Sequence, residues 1–238
     1  MSRPGALVTG SARGIGRGIA VGLAREGYDI AVHYRTSRAA AEATCAELEA
    51  LGSRAIALEA DLTDLDAGTG LVDEARERLG SLSVLVNNVG NYVYTPLAEL
   101  TLEEWRDVLA TNLDATFATC QAVLPIMRAA GGGRIVNIGY AGSQALVGRP
   151  DIAPYAIAKT GVVLLTKAIA RAEAGNGITA NVVAPGVIET SRTKPTSEIP
   201  AGRVGRIEEV VGAVLYFFSP DAEYVTGQVL EVAGGWNM

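Results

Sequence analysis

The sequence predicts an α/β fold in which a doubly wound parallel sheet of about seven strands carries helices on both faces. Short apolar runs alternate with helical patterns along the chain, which implies right-handed crossovers between parallel strands. Hydrophobic residues make up 49% of the 238 residues and aromatic residues only 5%, so small aliphatic side chains must build the core, as in buried parallel strands. A glycine-rich turn follows the first apolar run.

The elements follow in order from these patterns. Apolar runs predict strands at 6–8, 29–34, 55–58, 84–86, 134–138, 178–183 and 228–232. Apolar residues at helical spacing predict helices that include 19–24, 38–51, 65–79, 101–130, 154–174 and 208–218. Thr101 and Glu104 open the longest helix as a capping box, and Pro125 is expected to bend or end it. No linker interrupts the series, so residues 1–238 are expected to form one domain.

Composition and charge exclude several classes of function. The net charge is −6 without any basic block, which argues against nucleic acid or an anionic membrane as partner. Cys45 and Cys120 lie far apart and resemble buried small side chains, and His33 is the only histidine, so no metal site is expected. No uncharged apolar run approaches the roughly 18 residues of a membrane span. The first strand leaves no room for a signal peptide, which favours a cytoplasmic protein.

The turn after the first strand predicts a dinucleotide site of the Rossmann type. Its glycines are spaced G-x-x-x-G-x-G, so the backbone can turn tightly and a phosphate can approach it. The following helix offers unpaired N–H groups and a positive dipole end to a pyrophosphate. The residues expected to contact the cofactor here are Gly10, Ser11, Arg13, Gly14, Ile15 and Gly16.

The residues after the second strand indicate which dinucleotide binds. A carboxylate there would select NAD by binding a ribose hydroxyl and repelling a 2′-phosphate, but residues 33–38 contain no acid. Arg13, Arg35 and Arg38 can converge on a phosphate. Tyr34, Thr36 and Ser37 belong to the same predicted site. The alternative is a solvated basic loop; the sequence favours NADP(H).

A tyrosine and a lysine share one face of the helix predicted at 154–174. Tyr155 and Lys159 stand at i and i+4, so their side chains are neighbours. An ammonium group near a phenol favours the phenolate and is expected to lower the tyrosine pKa, which would ease proton transfer at neutral pH.

Taken together, these motifs resemble the short-chain dehydrogenase/reductase family over essentially the whole chain. The matching pieces, in family order, are Thr9-Gly10-x-x-x-Gly14-x-Gly16, Asp61-Leu62, Asn87-Asn88-Val89-Gly90, Asn112, Tyr155-x-x-x-Lys159 and Pro185-Gly186. The resemblance implies that Tyr155 is the acid or base and that Lys159 binds the nicotinamide ribose. It also implies that Asn112 holds a proton-relaying water.

The resemblance assigns further residues to the cofactor. Asp61 and Leu62 would flank the adenine, and Asn88 and Gly90 would contact the ribose region. Pro185, Gly186, Ile188 and Thr190 would hold the nicotinamide. Each of these residues also has a purely structural interpretation, since Asn and Asp side chains often bond turn backbones.

The main departure from the family concerns the catalytic serine. Counted from the fifth strand, its position is filled by Tyr140; counted back from Tyr155, it is filled by Gly142, next to Ser143. The loop therefore carries a two-residue insertion. Ser143 is slightly favoured as the hydroxyl donor, Tyr140 is the alternative, and a third possibility is that neither serves. A second departure is the short segment 191–199, which is not expected to form the family's helical flap.

The resemblance predicts an oxidoreductase that transfers a hydride between NADP(H) and a carbonyl or secondary alcohol. Many segments are similar to 3-oxoacyl-carrier-protein reductases, and residues 33–35 are similar to pteridine reductases. The rival hypothesis is a weakly active dinucleotide-binding regulator. The expected partners are a small carbonyl substrate and further copies of the chain. An acyl carrier protein held by Arg128 and Arg171 is the alternative that ranks below them, because both arginines can equally be charges that suit helix C-termini. The resemblance and the apolar outer faces of the two longest helices predict a homotetramer.

Overall fold

One sheet of seven parallel strands organises the computed structural model, which describes residues 3–191 and 193–236. The strands are β1 (Gly5–Val8), β2 (Asp29–Tyr34), β3 (Ala55–Glu59), β4 (Val84–Asn87), β5 (Gly133–Ile138), β6 (Ile178–Pro185) and β7 (Val229–Val232). Their order in the sheet is β3-β2-β1-β4-β5-β6-β7, and every neighbouring pair is parallel. The order reverses between β1 and β4, which is where such sheets bind ligands, outside the carboxyl ends of the strands.

Helices cover both faces of the sheet. They are α1 (Gly14–Arg25), α2 (Arg38–Ala50), α3 (Leu65–Leu79), α4 (Leu102–Leu109), α5 (Ala115–Ala129), α6 (Ala153–Glu173) and α7 (Ile207–Tyr216). On β1, Ala6 and Val8 pack into one core with α1, α2 and α7, whereas Leu7 packs into a second core with α3, α5 and α6. This alternation of strand side chains confirms the predicted α/β class.

The longest predicted helix differs from the prediction in two ways. Residues Ala110–Asp114 form a π-helical segment between α4 and α5, so the helix is interrupted. Pro125 lies inside α5, which continues to Ala129, so Pro125 does not end it. A proline inside a helix costs about 3 kcal/mol. Val123 and Met127, on either side of it, are fully buried against the sheet, and this packing holds the helix together.

One stretch of the described residues, Pro150–Asn176, is long and apolar enough by length and composition to cross a membrane. It consists of α6 and the 3₁₀ turns that flank it, and α6 packs along β6. One face of this apolar helix is therefore buried against the sheet, while Ile157 and Leu164 are exposed. The segment after β6 has a single 3₁₀ turn, Thr196–Glu198, and no longer helix among its described residues, as predicted.

Candidate active site

Two adjoining cavities lie at the carboxyl ends of the strands. The larger, of about 410 Å³, is lined by eleven residues that the sequence predicts for the site: Ile15, Asn88, Gly90, Asn112, Tyr140, Tyr155, Lys159, Pro185, Gly186, Ile188 and Thr190. The smaller, of about 310 Å³, is lined by His33 and by the predicted residues Gly10, Arg35, Asp61, Leu62, Asn88 and Gly90. The fold therefore brings most of the predicted residues to one edge of the sheet.

The glycine turn has the shape that a pyrophosphate needs. Gly10 and Gly14 have φ angles of +63° and +59°, which favour glycine. A Cβ on Gly16 would lie 2.4 Å from the Gly10 carbonyl oxygen, so no side chain fits there, whereas the space above Gly14 is open. Arg13, the N-cap of α1, makes no side-chain cap hydrogen bond. The first N–H groups of α1 thus remain available, and the turn fits a dinucleotide.

Two predicted contact residues support the turn from within the protein. The Ser11 hydroxyl is fully buried and donates to the Val8 carbonyl at 2.7 Å. The Asn88 amide donates to the carbonyls of Thr9 and Gly10 at 3.0 and 3.2 Å, which ties the turn to the end of β4. The Ser11 side chain is therefore occupied in shaping the turn, and a ligand can reach Asn88, which lines both cavities.

The basic loop after β2 is partly neutralised. The Arg38 guanidinium lies 3.0 Å from the Glu59 carboxylate, and Arg35 lies 3.9 Å from Asp61. Tyr34 is 4% exposed, and its hydroxyl donates to Glu59 at 3.0 Å, so Tyr34 belongs to the core. Its assignment to the cofactor site rested on its position in the sequence, and this packing leaves it no free hydroxyl to offer.

The remaining polar groups of the loop are exposed. The Arg13 guanidinium donates to the Ser37 hydroxyl, which joins the glycine turn to the loop after β2. Thr36 is exposed beside it. Asp61 is held ionised because the Thr63 backbone N–H and hydroxyl both donate to it, which lowers its pKa.

Asn112 lies in the π-helical segment, a feature that often marks functional sites. Its amide nitrogen donates to the carbonyls of Val108 and Asn91, each at 3.0 Å. Its Oδ1 is buried and has no hydrogen-bond partner. A Cβ on Gly90 would lie 2.3 Å from this oxygen and 3.4 Å from Lys159 Nζ, so both polar groups face the Gly90 backbone. An unpaired acceptor beside an ammonium group fits the relaying water that the family resemblance implies.

Tyr155 and Lys159 project from the first turns of α6 into the cavity. Lys159 is 4% exposed, and its Nζ donates to the Ile138 carbonyl at 2.7 Å and lies 5.8 Å from the centre of the Tyr155 ring. Burial lowers the pKa of Lys159 to about 8. It raises the pKa of Tyr155 above its ordinary value, and Tyr92 and Tyr140 raise it further.

The expectation that Lys159 lowers the pKa of Tyr155 is therefore wrong for the free protein. The lysine is directed to the carbonyl of Ile138, and the loss of water around the phenol has the larger effect. Tyr155 consequently stays protonated at neutral pH.

The two candidate hydroxyl donors occupy different places. Tyr140 lines the larger cavity, and its ring centre lies 5.6 Å from that of Tyr155 in an edge-on arrangement. Ser143 is 2% exposed, its Oγ has no hydrogen-bond partner, and it is not among the residues that line the cavity. The structure thus places Tyr140 against Tyr155 in the cavity and leaves Ser143 out of the cavity lining.

Sequence reasoning missed Tyr92, which follows the Asn-Asn-Val-Gly motif. Its ring centre lies 5.2 Å from that of Tyr155, nearly perpendicular to it, and it lines the cavity. No family motif includes this position. The signal available was an aromatic residue two positions after Gly90, the last residue of that motif.

A buried polar chain, also missed, sets the spacing of the helices that carry the site. Thr119 of α5 donates to Asn87 at 2.7 Å, Asn87 donates to Asn137 of β5 at 2.9 Å, and Asn137 donates to Thr166 of α6 at 2.8 Å. Because every bond in the chain crosses between elements, it couples α5 and α6 through the sheet. The paired register of Asn87 and Asn137 could be found only once the strands were aligned.

Arg128 and Arg171 lie away from the cavity of their own chain. Both stand near the C-terminal ends of helices, α5 and α6, that lead back to the starts of β5 and β6. Arg128 is also paired with the buried Glu173, to which its Nε donates at 2.8 Å. The expectation that these arginines flank the mouth of the site is wrong within one chain, because the cavity lies at the opposite edge of the sheet.

Comparisons with known proteins agree with this geometry. The chain matches the family described as Enoyl-(Acyl carrier protein) reductase over residues 10–237. It is 40% identical to the 3-oxoacyl-[acyl-carrier-protein] reductase FabG of Staphylococcus aureus, covering 98% of each chain.

Solved structures include a putative short-chain alcohol dehydrogenase from Sinorhizobium meliloti, at 36% identity and a TM-score of 0.93, covering 99% of this chain and 97% of that one. A blue fluorescent protein from a metagenomic library, solved with NADPH, has the same identity and TM-score and covers 99% and 98%. The matches cover the whole sheet and the cavity that holds the Tyr155–Lys159 pair. This chain therefore belongs to the short-chain dehydrogenase/reductase family, and it is a nicotinamide-dependent oxidoreductase acting on CH–OH and C=O groups.

Proposed function

We propose that the protein is an NADP(H)-dependent carbonyl reductase in which Tyr155 gives the proton and Tyr140 polarises the carbonyl. The observation that carries this proposal is the placement of both phenols in one cavity with Lys159, next to the open first turn of α1. When bound, the nicotinamide supplies a hydride to the carbonyl carbon. The chain's own residues have to position the carbonyl and neutralise the oxygen that becomes negative.

Tyr155 is suited to the second task. Its raised pKa keeps the phenol protonated at neutral pH, so it can donate as an alkoxide forms beside it. Lys159, whose pKa of about 8 leaves it mostly cationic at neutral pH, stabilises the phenolate that remains. The unpaired Oδ1 of Asn112 can hold the water through which a proton returns.

Tyr140 takes the place of the family's serine in this proposal. Its ring centre lies 5.6 Å from that of Tyr155 and both residues line the cavity, which supports a carbonyl bound between the two phenols. Ser143 is not among the residues that line the cavity. A hydroxyl that donates to a developing oxyanion stabilises the transition state.

NADP(H) is favoured over NAD(H) by the charges at the end of β2. Arg13, Arg35 and Arg38 stand there with two carboxylates, Glu59 and Asp61, so one positive charge remains for a 2′-phosphate. Arg13 faces no carboxylate among the described residues and is joined to Ser37, which makes this pair the candidate seat. The NADPH in the metagenomic relative supports the same choice.

The substrate end of the cavity favours uncharged carbonyl compounds. Apart from Lys159, its lining among the described residues has no charged side chain, and Tyr92, Tyr140, Ile152 and Trp236 supply aromatic and aliphatic surface. The test is turnover with NADPH against ketones, diketones, acetoacetyl thioesters, enoyl thioesters and dihydropteridines. Reduction of a ketone or a 3-oxoacyl thioester supports the proposal. Tight NADPH binding without turnover of any of them favours the dinucleotide-binding regulator.

Carrier-linked substrates are the second candidate, because curated relatives are named 3-oxoacyl-carrier-protein reductases. Arg128 and Arg171 can serve a carrier only at the cavity of another copy of the chain, since they lie across the sheet from their own. The experiment compares one 3-oxoacyl group on its carrier and on a small thiol. A large gain from the carrier that disappears with salt and in Arg171→Glu supports docking; equal rates on both thiols exclude it.

A homotetramer in the cytoplasm completes the proposal. Phe117 of α5 and Ile157 and Leu164 of α6 are 43%, 50% and 64% exposed. Such apolar side chains on two outer helices suit a helical contact with a second copy, and the edge strand β7, with Leu230 exposed, suits another. Light scattering at micromolar concentration tests this: a tetrameric mass that falls in Leu164→Lys supports it, and a monomeric mass contradicts it.

A further inference from the structure

His33, the only histidine of the chain, lies at the end of β2 and lines the smaller cavity without a role in the proposed chemistry. It is 2% exposed. Its ring lies between the glycine turn, at Gly10, and the residue that follows β3, Ala60. The ring also lines the smaller cavity.

Both ring nitrogens have partners, and these partners fix the tautomer. Nδ1 accepts from the Gly10 backbone N–H at 2.9 Å, so it carries no proton. Nε2 lies 3.1 Å from the Ala60 carbonyl and must therefore be the N–H donor. The backbone adds two bonds: Ser11 N donates to the His33 carbonyl at 3.0 Å, and His33 N donates to Ser11 Oγ at 3.2 Å.

The ring bond acts on Gly10, the first glycine of the turn. Gly10 has a φ of +63°, and its carbonyl accepts from Asn88 on the other side. Its N–H has no acceptor other than His33 among the described residues. The imidazole thus holds the first glycine of the turn, and the conformation of that turn decides where the N–H groups of Gly14–Gly16 point.

We propose that neutral His33 is a positioning residue for the dinucleotide, which holds the glycine turn in its binding shape and releases it when the ring is protonated. This rests on the proposed cofactor site. A protonated ring would set an Nδ1–H against the Gly10 N–H, and two donors cannot share a hydrogen bond. Cofactor affinity should therefore fall as the pH drops.

The charges around the ring are mixed. Asp61, from the end of β3, favours protonation, as does the Ala60 carbonyl, while burial lowers the pKa of His33 below its usual value and is the largest effect. Arg35 and Asp107 line the same cavity, one of each sign. Protonation is accordingly expected below the usual histidine range of about 6.5.

The experiment compares His33→Asn with His33→Leu, two side chains of similar size of which only asparagine offers an acceptor near the position of Nδ1. Dissociation constants for NADPH and NADH are measured by nicotinamide fluorescence at pH 8 and then from pH 8 to 5, with the thermal unfolding of each free protein. At pH 8, His33→Leu should bind about ten-fold more weakly, the effect of one buried donor left unpaired. His33→Asn should stay within about three-fold of the wild type, and kcat at saturating NADPH should be unchanged in both, since no reacting atom is touched.

The pH profile separates positioning from packing. Wild-type affinity for NADH should fall as the pH drops below about 6.5, and His33→Asn should show no such fall. NADH is used because it lacks the 2′-phosphate of NADPH, a group that itself titrates near pH 6 in phosphate monoesters. Equal losses in both variants at pH 8, or the same profile in His33→Asn and wild type, contradict the inference. If His33→Leu does not fold, the asparagine profile still decides. A wild-type chain that binds neither dinucleotide contradicts the proposed function itself.

Discussion

The two ends of the site differ in how the polar groups are hydrogen-bonded. The cofactor end is the glycine turn with its neighbours, and the substrate end is the part of the larger cavity around Tyr140 and Tyr155. At the cofactor end the chain pairs its own polar side chains: Ser11, His33 and Asn88 all bond the glycine turn. At the substrate end, Tyr140 and Tyr155 both line the cavity, and their hydroxyls make no hydrogen bond within the described residues. The first end is preformed, whereas the second acquires its hydrogen bonds only when a ligand arrives.

The largest effect is expected at the substrate end, from Tyr155→Phe. The change removes one hydroxyl and little packing, so turnover should fall by at least a hundred-fold, the usual contribution of a positioned acid. The dissociation constant for NADPH should change by less than about three-fold, because the cofactor end does not depend on this hydroxyl. Steady-state kinetics and fluorescence titration measure the two quantities. Retention of more than a few per cent of activity would exclude Tyr155 as the acid.

A smaller effect is expected at the cofactor end, from Arg35→Asp and Arg13→Ala. A charge-assisted hydrogen bond contributes about 1.5–3 kcal/mol, so each change should weaken NADPH binding by about ten-fold or more. NADH binding should be nearly unchanged by Arg13→Ala and improved relative to NADPH by Arg35→Asp. Arg25, exposed at the far end of α1, gives a matched control as Arg25→Ala. A wild-type preference for NADH would refute the charge argument.

A third effect, on stability instead of binding or turnover, concerns Lys159, which lies between the two ends. Burial lowers its pKa to about 8 from an ordinary value of 10.5, so between these values the unfolded chain binds a proton that the folded chain does not. The stability of the wild type should therefore rise with pH across this interval relative to Lys159→Met, which has no ammonium to bury. Urea unfolding at several pH values measures the difference. If the difference in unfolding free energy between the wild type and Lys159→Met stayed constant from pH 7.5 to 10, the charge of Lys159 would not be buried as described.

The positions of the glycine turn after β1 and of the Tyr155–Lys159 pair on α6 could be predicted from the sequence, because residues at fixed spacing act through local backbone geometry. The seven strands and the sheet followed from the same regularity. The interruption at Asn112 could not be predicted, since an extra residue in a helical turn leaves no compositional trace. Nor could the survival of α5 past Pro125, which depends on the tertiary burial of Val123 and Met127.

The substrate end was harder for a physical reason. Counting from β5 leads to Tyr140 and counting back from Tyr155 leads next to Ser143, so spacing alone left both open as donors. Which hydroxyl reaches the cavity depends on how the whole loop packs. The Tyr34 and Arg128 assignments failed similarly, because their pairing with Glu59 and Glu173 brings together residues that are distant in sequence.

Whether Tyr140 takes the place of the serine is decided by kcat/KM for Tyr140→Phe and Ser143→Ala on the best ketone substrate, with NADPH affinity measured alongside. Tyr140→Phe should lose ten- to a hundred-fold, of the order found when one oxyanion donor is removed. Ser143→Ala should change by less than about two-fold, because its Oγ makes no hydrogen bond in the structure. A large loss in Ser143→Ala with full activity in Tyr140→Phe would assign the donor to Ser143 and refute the role of Tyr140.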